Sequence, residues 1–271
     1  MPFENLEVRL VVFDWGGTTV DHGCFAPAEA LVAALARRGV PISPAEARGP
    51  MGLGKKDHVR ALLRAPEVAE RWGRRHGRPP AEADVEAVYA DLAPLLLEMI
   101  DRHGALIPGV PECVAELRRR GLRVGGTTGY FRAAAARAAE CARRQGFVPD
   151  CSVCADDVPA GRPTPWMLFR NMEALGVYPP AAVVKVGDTV PDVEEGRNAG
   201  AWSVGVSRSG NEVGRTEAEL SALPAAERQA LLGAARAKLL AAGAHAVLET
   251  VAELPGLIDG INPRLRAGER P

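Results

Sequence analysis

A chain of 271 residues with 47% apolar and 25% charged side chains can bury a sizeable core in one large domain or two modest ones. Its 33 basic and 34 acidic residues leave a formal charge of -1, which excludes a global field that would attract nucleic acid or an anionic membrane. The N-terminus lacks a leader pattern, and no apolar run approaches the roughly 18 residues of a membrane span. We therefore expect a cytoplasmic protein.

Six short apolar runs predict strands that are buried on both faces. They are mostly unalternating, as in parallel sheets covered by helices on both sides. Helical patterns lie between them, and those at 110–121 and 192–200 end in a glycine. The predicted fold is a doubly wound α/β class with a parallel sheet. The predicted strands are residues 8–13, 122–127, 151–155, 182–187, 202–206 and 245–249.

The interval between the first two predicted strands is far longer than a crossover needs. Residues 26–101 read as one helix after another, which indicates an inserted all-helical domain. We expect this domain to cover residues 23–102, and the α/β core to comprise residues 1–22 and 103–271. The polar, proline-flanked segment NPRLRAGERP at the C-terminus is expected to fray.

Polar and charged side chains follow four of the predicted strands, at the sheet edge where ligands bind in open α/β folds. Three acids crowded together repel one another unless a hard cation shares them, and Mg²⁺ prefers a few carboxylate or carbonyl oxygens. A hydroxyl and a guanidinium would then hold a phosphoryl group. A dinucleotide site is the competing use of this edge, but no GxGxxG occurs in the chain. The residues are Asp14, Thr127, Thr128, Arg162, Asp188 and Asp192.

Four segments, in chain order, resemble the motifs of the haloacid dehalogenase superfamily: FDWGGTTVD, TTGY, GRPTPW and KVGDTVPD. The resemblance implies that Asp14 is a nucleophile that attacks phosphorus. It also implies that Mg²⁺ is held by Asp14, the backbone carbonyl of Gly16 and Asp188, and that Asp192 orients the water shell of the metal.

The same resemblance assigns the remaining strand-end residues and raises one discrepancy. It implies that Thr128 and Arg162 bind the phosphoryl oxygens, and that the helical insertion is a cap domain. Phosphatases of this superfamily usually carry a second Asp two residues after the nucleophile, but this position is Gly16. General acid catalysis at a leaving oxygen raises the rate about 10²- to 10⁴-fold. The absence of the acid therefore indicates either a phosphatase of much reduced activity or a leaving group other than oxygen.

A second candidate group lies in the insertion, in the segment RGPMGLGKKDHVRALL. If a helix begins near Gly54, Lys55 shares the apolar face while Lys56 lines up with basic residues one and two turns later. Burial, the helix N-terminus and the neighbouring cation all lower the pKa of Lys55, and a neutral amine is a nucleophile. His58 could exchange protons with it. The alternative is a helix that begins with two solvated lysines.

The two candidate groups together account for Gly16. An iminium formed by an amine and an aldehyde is an electron sink, so the carbon beta to that nitrogen can leave phosphorus as an enamine. No leaving oxygen is protonated in such a step. The bond that this arrangement could break is a carbon–phosphorus bond one carbon from an aldehyde.

Over nearly its whole length the chain is similar to the phosphonatase family, whose members hydrolyse phosphonoacetaldehyde to acetaldehyde and phosphate. The similarity is carried by FDWGGTTVDHGCFAP, PMGLGKKDHVRALL, TTGY, DDVPAGRPTPWM, GVYP, KVGDTVPDVEEGRNAG and AGAHAVLET. It implies Lys55 as the Schiff-base residue, dependence on Mg²⁺ and a homodimer joined through the caps, with His58 or Tyr130 protonating the enamine. The residues that it implies near the substrate are Cys24, Met51, Gly52, His58 and Tyr130.

Two other functions are compatible with the same motifs. One is a phosphomonoesterase or phosphomutase acting on a small phosphorylated metabolite, which would be indifferent to Lys55→Arg. The other is a catalytically silent module that binds a phosphorylated ligand. The intact Asp14 argues against the second, because a binding module has no need of a nucleophile at that position.

Overall fold

The structure is a computed structural model that describes residues 6–271, so the first five residues of the predicted core lie outside the described range. A six-stranded sheet with the order β3-β2-β1-β4-β5-β6 forms its centre. Every pair of neighbouring strands is parallel, which confirms the predicted α/β class. The strands are β1 Leu10–Asp14, β2 Arg123–Thr128, β3 Cys151–Cys154, β4 Val183–Gly187, β5 Trp202–Val206 and β6 Ala246–Leu248.

All six predicted strands are present, each within two residues of its expected bounds. β1 is buried throughout and pairs with β2 on one side and β4 on the other. Asp14 is in register with Thr127 of β2, and Asp188 directly follows β4. The central place of β1 therefore brings the carboxyl ends of three strands together at one edge.

Helices cover the sheet and fill the interval after β1. Six of them lie between β1 and β2, and the first five form the insertion, in which α1 packs along α5. These five are α1 Phe25–Arg37, α2 Pro44–Arg48, α3 Lys55–Arg64, α4 Pro66–His76 and α5 Glu82–His103. The other seven within residues 6–271 are α6 Val110–Arg119, α7 Arg132–Arg144, α8 Trp166–Leu175, α9 Val190–Ala199, α10 Glu217–Ala222, α11 Ala225–Ala241 and α12 Leu254–Arg266.

One continuous apolar core joins the insertion to the sheet. Leu31 of α1 and Leu92 of α5 are fully buried and belong to the same cluster as Val12 of β1. Across residues 6–271, each helix is too short or too polar to serve as a membrane span.

The expectation that the C-terminal segment frays is wrong for residues 262–266, which continue α12. Leu265 is 1% exposed within the main core, so the segment is fixed by burial rather than by its polar composition. The Asn262 side chain adds a long-range contact, because its Oδ1 accepts a hydrogen bond from the backbone N–H of Val8 at 2.9 Å.

The two glycines of β2 allow other groups to lie against the strand. A Cβ at Gly125 would stand 2.4 Å from Oδ1 of Asn171, a fully buried residue of α8. The Nδ2 of Asn171 donates to the carbonyl of Gly126 at 3.1 Å and ties α8 to β2. Small residues are therefore needed at a position where a central strand would otherwise favour Val or Ile.

We predict that Gly125→Ala lowers the free energy of unfolding by about 1–3 kcal/mol, because the methyl group forces Asn171 or the strand to move. Gly233→Ala is the matched control, since Gly233 lies in α11 and an added Cβ there meets no atom of the described residues within 4 Å. That change should stabilise the protein by about 0.5–1 kcal/mol. Urea denaturation measures the free energy of unfolding of both variants. Equal changes in the two variants would contradict the close approach of Asn171 to β2.

Candidate active site

The carboxyl ends of β1, β2 and β4 surround the side chain of Asp14. This carboxylate is 6% exposed, and its Oδ1 accepts a hydrogen bond from Nη2 of Arg162 at 2.6 Å. Arg162 comes from the loop between β3 and α8, as the sequence predicts, and is equally buried. The ion pair fixes the carboxylate at the sheet edge, where its second oxygen is left for another partner.

Two further carboxylates lie beside Asp14. One oxygen from each of Asp14, Asp188 and Asp192 falls within 4.8 Å of the others, and all three residues are buried. Asp188 is held by Thr18, whose hydroxyl donates to Oδ1 at 3.0 Å, and by the backbone N–H of Asn211, which donates to Oδ2 at 2.7 Å. This set of oxygens is suited to a hard divalent cation.

The electrostatics of the three acids differ although all are buried. Burial raises the pKa of Asp188 well above its usual range, and the charges of Asp14 and Asp192 raise it further. Burial also raises the pKa of Asp14, partly offset by Arg162. Burial would raise the pKa of Asp192 too, but Arg162 and Lys185 hold it below its ordinary value. Asp192 is thus the carboxylate already neutralised by protein cations.

Most of the N–H groups of the Arg162 guanidinium donate to other groups of the protein. Besides Asp14, its Nη2 reaches the carbonyl and the hydroxyl of Thr127, at 2.9 and 2.7 Å. Its Nη1 pairs with Asp192 at 3.0 Å, and its Nε donates to Glu195 at 3.0 Å. Arg162 also lines the cavity between the insertion and the sheet edge, yet most of its hydrogen bonds hold Asp14 and its neighbours.

Two charged residues of this network were missed by the sequence interpretation. Lys185 lies in the middle of β4 and Glu195 in α9, and both are fully buried. Lys185 Nζ contacts Asp192 at 2.9 Å and Glu195 at 3.3 Å. The available signal was the charge of Lys185 inside the apolar strand VVKVG, because a buried charge in a central strand requires a partner.

The insertion contributes an amine from the opposite side. α3 begins at Lys55 after Gly54, as predicted, and Lys55 is 5% exposed. Its Nζ stands 5.4 Å from the ring centroid of Tyr130, and its backbone N–H donates to the carbonyl of Gly129 at 3.1 Å. Lys56, whose side chain is 43% exposed, pairs instead with Glu86 on α5. Burial lowers the pKa of Lys55, which increases the neutral fraction of its amine.

His58 lies one turn after Lys55 and is fully buried. Its Nε2 is 2.8 Å from the carbonyl oxygen of Ala47, so Nε2 carries the proton and Nδ1 the lone pair. Nδ1 has no hydrogen-bond partner among residues 6–271. Burial lowers the pKa of His58 to about 3, so the imidazole is neutral with one free acceptor.

The space beside Gly16 is filled by two side chains. A Cβ at Gly16 would stand 3.4 Å from the hydroxyl oxygen of Tyr130 and 3.6 Å from Sγ of Cys24. Both of these residues are buried, and burial raises the pKa of each well above its ordinary value. The thiol and the phenol are therefore protonated, and they occupy the place into which a longer side chain at position 16 would extend.

The loop before α3 closes the site over the sheet edge. Gly52 has φ +95°, and an added Cβ there would stand 2.3 Å from Oγ1 of Thr189, the residue after Asp188. A Cβ at Gly129 would stand 2.4 Å from the carbonyl oxygen of Leu53. Two glycines, one on each side of the contact, thus allow the insertion to lie directly on the core.

A small cavity lies between the insertion and the sheet edge. Nine of the thirteen candidate residues named from the sequence line it, and the other four are buried in the surrounding shell. Those four are His58, Thr127, Asp188 and Asp192. The lining residues among the predictions are Asp14, Gly16, Cys24, Met51, Gly52, Lys55, Thr128, Tyr130 and Arg162.

Comparison with known proteins gives the family. The sequence model of the haloacid dehalogenase-like hydrolases matches residues 8–200. A phosphonoacetaldehyde hydrolase of Syntrophobacter fumaroxidans is 49% identical over 264 residues, which are 97% of this chain and 95% of that protein. Another, from Bacillus cereus strain B4264, is 45% identical over 256 residues, or 94% of this chain and 97% of that protein.

Solved structures agree with the sequence relatives. The crystal structure of a phosphonoacetaldehyde hydrolase like protein from Oleispira antarctica has a TM-score of 0.97 and 39% identity, covering 99% of this chain and 98% of that one. A predicted phosphoglycolate phosphatase from Haemophilus somnus shares the fold alone, with a TM-score of 0.65 and 16% identity over 92% of this chain and 97% of that one. The chain therefore belongs to the haloacid dehalogenase-like hydrolases and, among them, to the phosphonoacetaldehyde hydrolase family.

Proposed function

We propose that the protein hydrolyses the carbon–phosphorus bond of phosphonoacetaldehyde and releases acetaldehyde and phosphate. The observation that carries the proposal is that Lys55, from the insertion, and Asp14, from the sheet, line the same small cavity. An amine and a carboxylate on opposite walls match a substrate with an aldehyde at one end and a phosphonate at the other. The relatives of this chain named phosphonoacetaldehyde hydrolase support the same substrate.

The reaction begins at the amine. Neutral Lys55 adds to the aldehyde carbon and water leaves, which gives a protonated imine. Asp14 then attacks phosphorus while the phosphorus–carbon bond breaks, and its electron pair becomes the carbon–carbon double bond of an enamine. The π electrons of the iminium move onto its nitrogen as a lone pair, so no leaving oxygen requires a proton. Gly16 in place of an acid agrees with this chemistry.

Two hydrolytic steps complete the turnover. The enamine carbon takes a proton from the protonated phenol of Tyr130, and water releases acetaldehyde from Lys55. The free Nδ1 of His58 can accept a proton in this hydrolysis but holds none to donate. A second water attacks the aspartyl phosphate and frees phosphate from Asp14. Thr128 and the remaining donor capacity of Arg162 bind the phosphoryl oxygens in both phosphoryl transfers.

The charges of the site fit Mg²⁺. In the network of buried side chains that contact Arg162 or surround Asp14, four carboxylates accompany two cations, so 2 minus 4 leaves a formal charge of -2. One divalent cation neutralises this excess, and Asp14, Asp188 and the carbonyl of Gly16 would hold it, with Asp192 orienting its water shell. Bound Mg²⁺ supplies charge stabilisation for the phosphoryl oxygens. The carboxylates are Asp14, Asp188, Asp192 and Glu195, and the cations are Arg162 and Lys185.

Residues 23–102 form the cap domain in this proposal, with the core comprising residues 1–22 and 103–271. The contact of the Pro50–Gly54 loop with Gly129 and Thr189 supports a closed arrangement in which water is excluded from the cavity. The homodimer joined through the caps and the cytoplasmic location stay predictions. A phosphomonoesterase or phosphomutase on the same scaffold has less support, because Gly16 supplies no acid for a leaving oxygen.

The first prediction concerns the reactive amine. Lys55→Arg should abolish acetaldehyde release, and borohydride with phosphonoacetaldehyde should no longer label the chain, because a guanidinium does not form the imine. Lys56→Arg, at the exposed neighbour paired with Glu86, should retain activity within about threefold and be labelled as the native chain is. Peptide mapping locates the adduct. Labelling that survives in Lys55→Arg and is lost in Lys56→Arg would contradict the assignment.

The second prediction concerns position 16. Gly16→Ala should retain kcat/KM within about tenfold, because its methyl group meets Tyr130 and Cys24 at ordinary contact distances of 3.4 and 3.6 Å. The kcat/KM of Gly16→Asp should fall about 100-fold or more, since the carboxylate displaces these side chains and adds negative charge beside Asp14. Acetaldehyde release measures both variants. An Asp variant as active as the Ala variant would show that the space beside Gly16 is unimportant.

The third prediction concerns the metal. Above its Kd, Mg²⁺ should raise the melting temperature steadily with the logarithm of its concentration, with a stabilisation of about 2.7 kcal/mol at 100 times its Kd. Asp188→Asn should remove this response, because one of the three carboxylates that would share the ion is gone. Asp259→Asn, with a side chain 63% exposed on α12, is the control and should behave as the native chain. A full Mg²⁺ response in Asp188→Asn would contradict the site.

A further inference from the structure

Behind the nucleophile lies a charged pair that the proposed reaction does not use. Lys185 and Glu195 are fully buried, in the middle of β4 and in α9. Burying an ion pair costs several kcal/mol per ion before the pairing is counted, and an apolar pair of similar volume often stabilises a fold as well or better. Their presence behind the site therefore points to a role other than stability.

The contacts of Glu195 converge on one oxygen. Oε2 accepts hydrogen bonds from Nε of Arg162 at 3.0 Å and from the hydroxyl of Thr127 at 3.2 Å, and lies 3.3 Å from Nζ of Lys185. Oε1 has no hydrogen-bond partner among residues 6–271. A single oxygen thus fixes Nε of the guanidinium, whose Nη2 reaches Asp14.

Lys185 contacts groups that also bind Arg162. Its Nζ donates to the hydroxyl of Thr127 at 2.9 Å and to Oδ1 of Asp192 at 2.9 Å, the oxygen that also pairs with Nη1 of Arg162. Without Lys185, Asp192 and Glu195 would both compete with Asp14 for the one guanidinium. Because the positive charge of Lys185 pairs with both of these carboxylates, it reduces the competition and leaves Nη2 of Arg162 for Asp14.

We propose that Glu195 and Lys185 are positioning residues for phosphoryl transfer, which hold Arg162 by its Nε and Nη1 edges so that Nη2 aligns the attacking oxygen of Asp14. The inference rests on the proposed function and deepens it. Neither residue touches the cavity, so both act through Arg162 and Thr127. Because Lys55 lies across the cavity on α3, the pair should influence the phosphorus end of the reaction and leave imine formation unaffected.

The test separates the two ends of the reaction in the full-length Mg²⁺-loaded enzyme. Glu195→Gln keeps the shape of the side chain and an acceptor for Nε, but leaves Lys185 with one carboxylate fewer. We expect kcat for phosphate release from phosphonoacetaldehyde to fall about 100-fold with KM within about threefold. Borohydride labelling of Lys55 in the presence of the substrate should proceed at the native rate. Glu194→Gln, at the adjacent half-buried carboxylate, is the matched control and should leave both readouts unchanged.

A double variant with the same net charge as the native chain distinguishes a positioning role from simple misfolding. Lys185→Met alone leaves an excess of buried carboxylate, so it should lose activity as Glu195→Gln does. Lys185→Met/Glu195→Gln restores the net charge and should be at least about tenfold more active than the product of the two single losses predicts. Melting temperatures of all variants measure the structural contribution.

Several outcomes would overturn the inference. They are native kcat in Glu195→Gln, an equal fall in labelling and phosphate release, strictly multiplicative losses in the double variant, and failure of the single and double variants to fold, which would make the pair structural. A native chain that neither becomes labelled nor releases phosphate would instead reject the proposed function. The two failures are therefore distinguishable.

Discussion

The fold concentrates negative charge at the carboxyl edge of a buried parallel sheet, and the rest of the site compensates for that charge. Asp14 lies at the end of the central strand, and Asp188 and Asp192 follow the adjacent one. Desolvation opposes their ionisation, as the raised pKa values of Asp14 and Asp188 show. Arg162 neutralises part of this charge from the β3–α8 loop, and a divalent cation matches what is left.

The insertion places a buried amine, Lys55, across the cavity from the carboxylate of Asp14. Lys55 is placed by the start of α3, where the amphipathic pattern of the helix turns it inward and directs Lys56 outward. Burial lowers the pKa of Lys55, and the ring of Tyr130 lies beside its amine. In the proposed reaction, the insertion would carry the amine chemistry and the core would carry the phosphorus chemistry, each on its own scaffold.

Much of this arrangement could be predicted from local patterns. Apolar runs located the six strands within two residues, and the strand-end rule placed Asp14, Thr128 and Asp188 at one edge. The periodicity of α3 correctly separated the buried lysine from the exposed one. These features depend on the order and spacing of residues, which a sequence contains directly.

Other features depend on contacts between residues far apart in the chain. Arg162 lies 33 residues from Glu195, and no local pattern shows that their side chains meet. The C-terminal helix is ordered by the burial of Leu265 and by the hydrogen bond that the backbone N–H of Val8 donates to Asn262. The composition of the segment alone would not favour this helix. The hydrogen bond from His58 to Ala47, which sets the tautomer of the imidazole, likewise follows from packing of α3 against α2.

The central claim is that one substrate bridges Lys55 and Asp14. The most direct test is a crystal structure of the Asp14→Asn variant after phosphonoacetaldehyde has been reduced in place by borohydride. We expect a carbon–nitrogen bond to Nζ of Lys55, with the phosphonate beside residue 14, Thr128 and Arg162. An adduct on another amine, or a phosphonate directed away from the sheet edge, would contradict the account.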